Sequence, residues 1–145
     1  HAKDYVLMQW LMLQQDKPTD FVISTGKQYT VREFVKWSAD ALGIDLEFSG
    51  EGVDEIGVIA GLKSTYNNNL KVGQVLVRVN KQYFRPAEVE TLLGDSSLAN
   101  NLLNWEPLIS VSDMCKEMVN SDFRQASAEA LLLDHVNKSG NPYDI

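Results

Sequence analysis

The sequence has 145 residues, 44% hydrophobic and 23% charged, which fits one soluble domain, or the greater part of one, with a buried core. Its 13 basic and 20 acidic residues leave a formal charge of −7, which argues against a non-specific nucleic-acid binder, because that mode depends on cations neutralising phosphates. The two histidines, His1 and His135, lie far apart and Cys115 is the single thiol, so zinc and an internal disulfide are not expected, and no apolar run reaches the ~18 residues of a membrane span.

Cys115 sits among apolar residues in a helical pattern, where a cysteine usually behaves as a small buried hydrophobe, and the setting implied is reducing and cytoplasmic. The start of the chain lacks the basic region and cleavage site of a signal peptide. It also lacks a starting methionine and opens inside a helical pattern, so a fragment is expected.

From Tyr5 to Leu13 only Gln9 is polar, and a helix here is hydrophobic nearly all round. A chain this short cannot cover such a helix, so one face is expected to pack against an absent N-terminal domain. Asp16-Lys-Pro-Thr-Asp20 is a polar connection, and Phe21-Val-Ile23 then reads as a short buried strand. Ser24-Thr25-Gly26-Lys27 faintly echoes a phosphate loop, without its earlier glycine or its Lys-Ser/Thr ending, and is better read as a strand-to-helix turn. Thr30 and Glu33 form a capping box opening a helix from Val31 to Leu42, with Val31, Phe34, Val35, Ser38 and Leu42 as its inner stripe and Gly43 beyond its end.

Ile44-Asp-Leu-Glu-Phe48 alternates apolar with acidic, the pattern of a half-buried strand. Gly50 to Asp54 makes a turn and Glu55 to Ala60 a second strand. Gly50, Gly52 and Gly57 miss the Gly-x-Gly-x-x-Gly spacing and are turn glycines, not a dinucleotide fingerprint. Lys63 to Leu70 is an exposed loop, and Gln74 to Val79 a strand that delivers the chain to Tyr83.

Tyr83-Phe-Arg-Pro-Ala-Glu-Val-Glu-Thr-Leu-Leu-Gly-Asp95 is the stretch that carries chemistry. Pro86 forbids helix at Arg85, so the cation and the acid at Glu88 stand on a fixed, non-helical backbone. The guanidinium fork suits a phosphate and the carboxylate can accept two hydroxyls, as from a ribose diol. The plainer reading of the two residues is a loop salt bridge worth ~0–1 kcal/mol. Strand ends are where α/β folds place ligands, which favours a site after the Gln74 strand. Glu88 and Glu90 project differently from an extended backbone and do not form a glycosidase pair. No Gly-x-Ser-x-Gly elbow is present.

Asp95 is expected to cap a helix from about Ser96 to Leu103. After Pro107, Ser110 and Asp113 cap a last helix, with Val111, Met114, Cys115, Met118, Val119 and Phe123 at core spacing. Past Ala126 the pattern weakens. Residues 1–126 read as one lobe and 127–145 as a C-terminal tail, frayed from Asn137.

Tyr83 to Asp95, His1-Ala-Lys-Asp-Tyr-Val6 followed by Met8-Gln-Trp10, and Tyr29-Thr-Val-Arg-Glu-Phe34 resemble the C-terminal part of the GDP-mannose 4,6-dehydratase family. The likeness runs from His1 to about Phe123. It implies an α/β fold, the C-terminal substrate-binding lobe of an extended short-chain dehydrogenase/reductase, an NAD(P)-binding Rossmann-like protein whose N-terminal Rossmann part is absent here. In the intact enzyme it implies that NADP takes hydride from C4 of GDP-mannose, water is lost across C5 and C6, and the hydride returns to C6, giving GDP-4-keto-6-deoxymannose. The family's Gly-rich loop, its Tyr-x-x-x-Lys pair and its Thr/Ser with a Glu are not found: Gln9, Glu33, Leu70 and Ala87 stand four residues after Tyr5, Tyr29, Tyr66 and Tyr83. An inactive fragment with no catalytic residue and no cofactor of its own is therefore expected.

The resemblance carries over a nucleotide clamp, with Arg85 on the diphosphate and Glu88 on the ribose. Asp4 matches the aspartate of the family's Asp-Tyr-Val segment and is read as structural, favouring the helix dipole. Departures from the family pattern fall at Leu98, where a lysine is usual, and at Asn104, where Gly is usual and Asn tolerates the same left-handed backbone. The implied partner is GDP-mannose, with no nucleic acid and no membrane, in a homo-oligomer when intact. Another sugar-nucleotide epimerase or dehydratase, or a non-catalytic binding or assembly module, stands as the alternative.

Overall fold

The structure, a computed structural model, describes residues 1–63, 69–85 and 91–138. Helix α1 (Ala2–Leu13) is followed by a long irregular connection, α2 (Val31–Ala41), β1 (Ile44–Ser49), a short 3-10 turn (Gly52–Asp54), β2 (Ile56–Leu62), β3 (Val75–Arg78), α3 (Ser97–Leu103) and α4 (Val111–Lys138). The three strands form one antiparallel sheet in chain order, and α2 covers one of its faces. The result is an α/β architecture with a short antiparallel sheet. Among the described residues no helix is long and apolar enough to cross a membrane.

Two apolar clusters hold these elements together. In the first, Met8 of α1 packs with Ala99 and Leu103 of α3 and with Trp105, and Leu11, Met12, Phe21 and Ile23 close around them. In the second, Ala39 of α2 meets Ile44 and Ile59 of the sheet, flanked by Leu42, Leu46, Leu62 and Leu70. Cys115 of α4 is fully buried against α2, its Sγ 3.2 Å from the Ser38 hydroxyl. It is the small buried hydrophobe its surroundings predict.

The helix ends follow local chemistry. Thr30 Oγ1 accepts from Glu33 N at 3.1 Å and Glu33 Oε2 accepts from Thr30 N at 2.7 Å, the capping box in full. Gly43 follows the end of α2 at φ 72°. Helix α3 starts one residue later than expected, with Ser96 as its N-cap and no side-chain cap bond from it, while Asp95 Oδ1 accepts from Ser97 N at 2.9 Å just ahead of the helix; Asn104 ends that helix in the left-handed region at φ 49°. Ser110 Oγ accepts from Asp113 N at 3.1 Å at the start of α4.

Asp4 is structural, standing in the first turn of α1 where an acid favours the dipole, and it does more than that. It is only 4% exposed, and its two carboxylate oxygens accept from Leu108 N and Ile109 N, each at 3.2 Å. Its carbonyl accepts from Trp105 Nε1 at 3.1 Å. One residue thus fastens α1 to the segment that leads into α4.

Several expectations are corrected. Phe21 to Ile23 is not a strand: it runs beside no ladder partner among the described residues, and Phe21 and Ile23 pack on the Met8 cluster instead while Val22 is exposed. Val31 does not belong to the inner stripe of α2, being 82% exposed at the first helical position, while Ala39 supplies the buried contact. The apolar stripe of α4 is core only in part, because Met118 and Phe123 are 47% and 43% exposed. At 1.5 Å per residue α4 extends about 42 Å and α2 about 16 Å, so α4 outruns the helix it packs on. Helix α4 continues through 127–138, so Asn137 and Lys138 are helical and not frayed, and 139–145 lie outside the described residues. So does the centre of the asparagine loop, 64–68.

The apolar surface of α1 is largely uncovered, with Tyr5 at 51%, Val6 at 62%, Trp10 at 57% and Leu13 at 82% exposure. This is the consequence expected of a helix apolar all round in so small a fold.

Candidate functional site

The turn after β3 begins at Asn80. Its side-chain oxygen accepts from Gln82 N at 2.9 Å and its carbonyl from Tyr83 N at 3.0 Å, a short polar side chain mimicking a backbone turn. Just before it, Val79 N donates to the Glu55 carbonyl at 3.3 Å and keeps the end of β3 against β2. Val75, Val77 and Val79 alternate with exposed residues, as an antiparallel strand covered on one face requires.

An open cleft of about 720 Å³ lies between the first turn of α2 and this end of the sheet, a size ordinary for a small-molecule site. Thr30, Val31, Arg32 and Val35 form one wall. Phe48, Val77 and Val79 line its apolar part, and Glu55, Asn80 and the segment Tyr83, Phe84 and Arg85 complete it. Gly57 leaves room for the Phe48 ring and Val77 on this wall, because a Cβ there would meet Val77 Cβ at 3.0 Å and Phe48 Cε1 at 3.1 Å.

Two guanidinium groups line the cleft, and their electrostatic situations differ. Arg32 is committed to Glu55, with Nε 2.6 Å and Nη2 2.5 Å from Oε1, and its Cζ lies 5.8 Å from the centre of the Phe48 ring. Lys36 Nζ lies at the same 5.8 Å from that ring, so both cations draw on its π-face. Arg85 is exposed, and no carboxylate among the described residues forms an ion pair with it. Among the described lining residues Arg32, Glu55 and Arg85 leave one positive charge, on a protein that is acidic overall.

Of the two residues expected at a site, Arg85 reaches this cleft. Glu88 lies outside the described residues, which exclude 86–90. The sheet beside Arg85 is antiparallel, so the strand-end rule for parallel α/β sheets does not place it; the Asn80 turn does. Sequence reasoning missed Arg32, Glu55 and Phe48. A signal was present for the first: a cation in the opening turn of a helix opposes the dipole and calls for an acidic partner. Among the described residues no cluster of His, Cys, Asp and Glu has the arrangement of a metal site.

Residues 1–118 match the family model described as GDP-mannose 4,6 dehydratase. The chain belongs to the GDP-mannose 4,6-dehydratase family. It is 61% identical over 132 residues to the GDP-mannose 4,6-dehydratase of Yersinia enterocolitica, an alignment covering 91% of this chain and 36% of that protein. It is 58% identical over 135 residues to the same enzyme of Vibrio cholerae, with 93% and 36% covered. To the GDP-mannose 4,6 dehydratase of Drosophila melanogaster it is 42% identical over 122 residues, 84% of this chain and 28% of that protein. The chain thus spans about a third of the length of these relatives.

Proposed function

We propose that this chain is the C-terminal, substrate-binding part of a GDP-mannose 4,6-dehydratase, which at full length is an NADP-dependent lyase converting GDP-mannose to GDP-4-keto-6-deoxymannose. Arg85 holds the diphosphate and Glu88 the ribose. The observation that carries this reading is the charge arrangement in the cleft, where Arg32 is neutralised by Glu55 while Arg85 stands exposed at the rim. A cation so placed is available to an incoming anion, and its forked donors fit phosphate oxygens.

The described residues do not fit NADP. A dinucleotide cradle takes a glycine turn between a parallel strand and a helix, with the pyrophosphate on the helix N-terminus. Here Gly50 and Gly52 lie in a turn joining antiparallel strands, and Gly57 lies under Phe48. The reading therefore assigns the hydride and dehydration chemistry to the remainder of the relatives' length, and to this part the grip on GDP. Binding energy drawn from the non-reacting GDP holds the hexose in place for reaction.

Titration of GDP, GDP-mannose and UDP-glucose into the full-length protein carrying this segment tests the proposal. Arg85→Ala is expected to weaken GDP-mannose by roughly 1.5–3 kcal/mol, the worth of a charge-assisted contact, seen mainly in KM. Glu88→Gln is expected to weaken GDP-mannose more than mannose 1-phosphate, which lacks a ribose. An unchanged KM in Arg85→Ala removes the residue from the site, and equal affinity for UDP-glucose favours a different sugar-nucleotide enzyme.

A further inference from the structure

The cleft leaves Arg85 in an unusual position for a binding residue. Its guanidinium is exposed, and no ion pair with a described carboxylate fixes it. Arg32, by contrast, is held by Glu55. Where Arg85 points therefore depends on how firmly its backbone is seated. Tyr83, two residues earlier, is 75% exposed and offers little anchorage. Phe84, its immediate neighbour, is only 45% exposed.

The Phe84 ring lies over Gly52, in the turn between β1 and β2. A Cβ built on Gly52 would stand 3.8 Å from both Cε2 and Cζ of the ring, an ordinary van der Waals separation, so the ring faces the glycine backbone about one methyl group away. That turn is itself braced. Asp54 N donates to the Glu51 carbonyl at 3.1 Å, and the next residue, Glu55, carries the ion pair to α2. On the other side, the Phe84 amide donates to the Lys81 carbonyl at 3.4 Å and closes the Asn80 turn.

We propose that Phe84 is a positioning residue: its ring, facing the turn at Gly52, ties the Arg85 backbone to the β1–β2 turn and so aims the guanidinium at the diphosphate of the bound nucleotide. The inference rests on Arg85 being a phosphate ligand, as proposed above. Phe84 acts through Arg85, so its effect on binding exists only while the guanidinium is present.

GDP affinity measured by calorimetry in the full-length protein, across a cycle of Arg85→Ala, Phe84→Ala and the double variant, tests this. Phe84→Ala is expected to weaken GDP about tenfold, as misplacement of a positioned group does, and to have no further effect in the Arg85→Ala background. Phe84→Leu keeps an apolar group over Gly52 and is expected to lose about threefold. If Phe84→Ala does not fold, the Phe84→Leu loss and its disappearance in the Arg85→Ala background carry the test. Normal GDP binding by Arg85→Ala overturns the phosphate-ligand reading itself. A loss in Arg85→Ala with none in the Phe84 variants, or losses that multiply in the double variant, overturns the positioning role alone.

Discussion

Replacing Asp4 separates two accounts of why that residue is acidic. A dipole role at the start of α1 predicts that Asp4→Asn costs about 0.3–1 kcal/mol and that added salt erases the difference. The structure predicts more, because the carboxylate receives the Leu108 and Ile109 amides at 3.2 Å each and is only 4% exposed. A hydrogen bond to a charged group is worth roughly 1.5–3 kcal/mol. Both hydrogen bonds are part-buried, so water replaces the lost acceptor only in part. Asp4→Ala is accordingly expected to cost about 2–4 kcal/mol. Asp4→Asn keeps one acceptor and sets an NH2 group against the other amide, which places it near ~2 kcal/mol. At about 3–4 °C per kcal/mol for a chain of this size, the alanine variant melts roughly 6–16 °C lower. Urea unfolding followed by circular dichroism, at low salt and in 0.5 M NaCl, reads both quantities. A cost below about 1 kcal/mol that vanishes in salt would refute the clamp and restore the dipole.

Other predictions follow from single contacts. Gly57→Ala places a methyl 3.0 Å from Val77 Cβ and 3.1 Å from Phe48; it should destabilise by about 1–3 kcal/mol and displace the Phe48 ring, and an unchanged melting temperature would show that the ring yields freely. Asn104 holds φ 49°, so Asn104→Ala should cost about 1 kcal/mol while Asn104→Gly is close to neutral; equal effects of the two would contradict the left-handed assignment. The Glu33 carboxylate is held below its ordinary 4.5 by the Thr30 amide and hydroxyl. A depressed acid stabilises the fold above its unfolded value, and that contribution disappears as pH falls from about 4.5 through the lower folded value. The stability difference between the native protein and Glu33→Gln should narrow across that acid window, and a difference constant from pH 7 to pH 3 would argue against the capping box.

Much of the local structure was legible from residues close in sequence. The Thr30–Glu33 box, the Ser110 cap, the left-handed Asn104 and the alternation of Ile44 to Phe48 each depend on partners a few positions away, and each formed as read. Relationships between distant segments were not legible in that way. Phe21 to Ile23 has a strand's composition, yet composition does not supply a neighbouring ladder. The apolar spacing of Met118 and Phe123 says which face of α4 is greasy, not where α2 stops covering it.

Arg85 was singled out because its chemistry is written in one short motif. Arg32, Glu55 and Phe48 were missed because they come from a helix, a strand start and a strand that only the folded chain brings to one cleft.

The sequence by itself determined the family and several of the helix caps, since both are properties of short, ordered strings of residues. Only the tertiary structure decided that Asp4 grips amides more than a hundred positions away, that Arg32 is neutralised by Glu55, and that Arg85 lies open beside it. Burial and pairing are set by which surfaces meet, and a linear pattern records each surface without its partner.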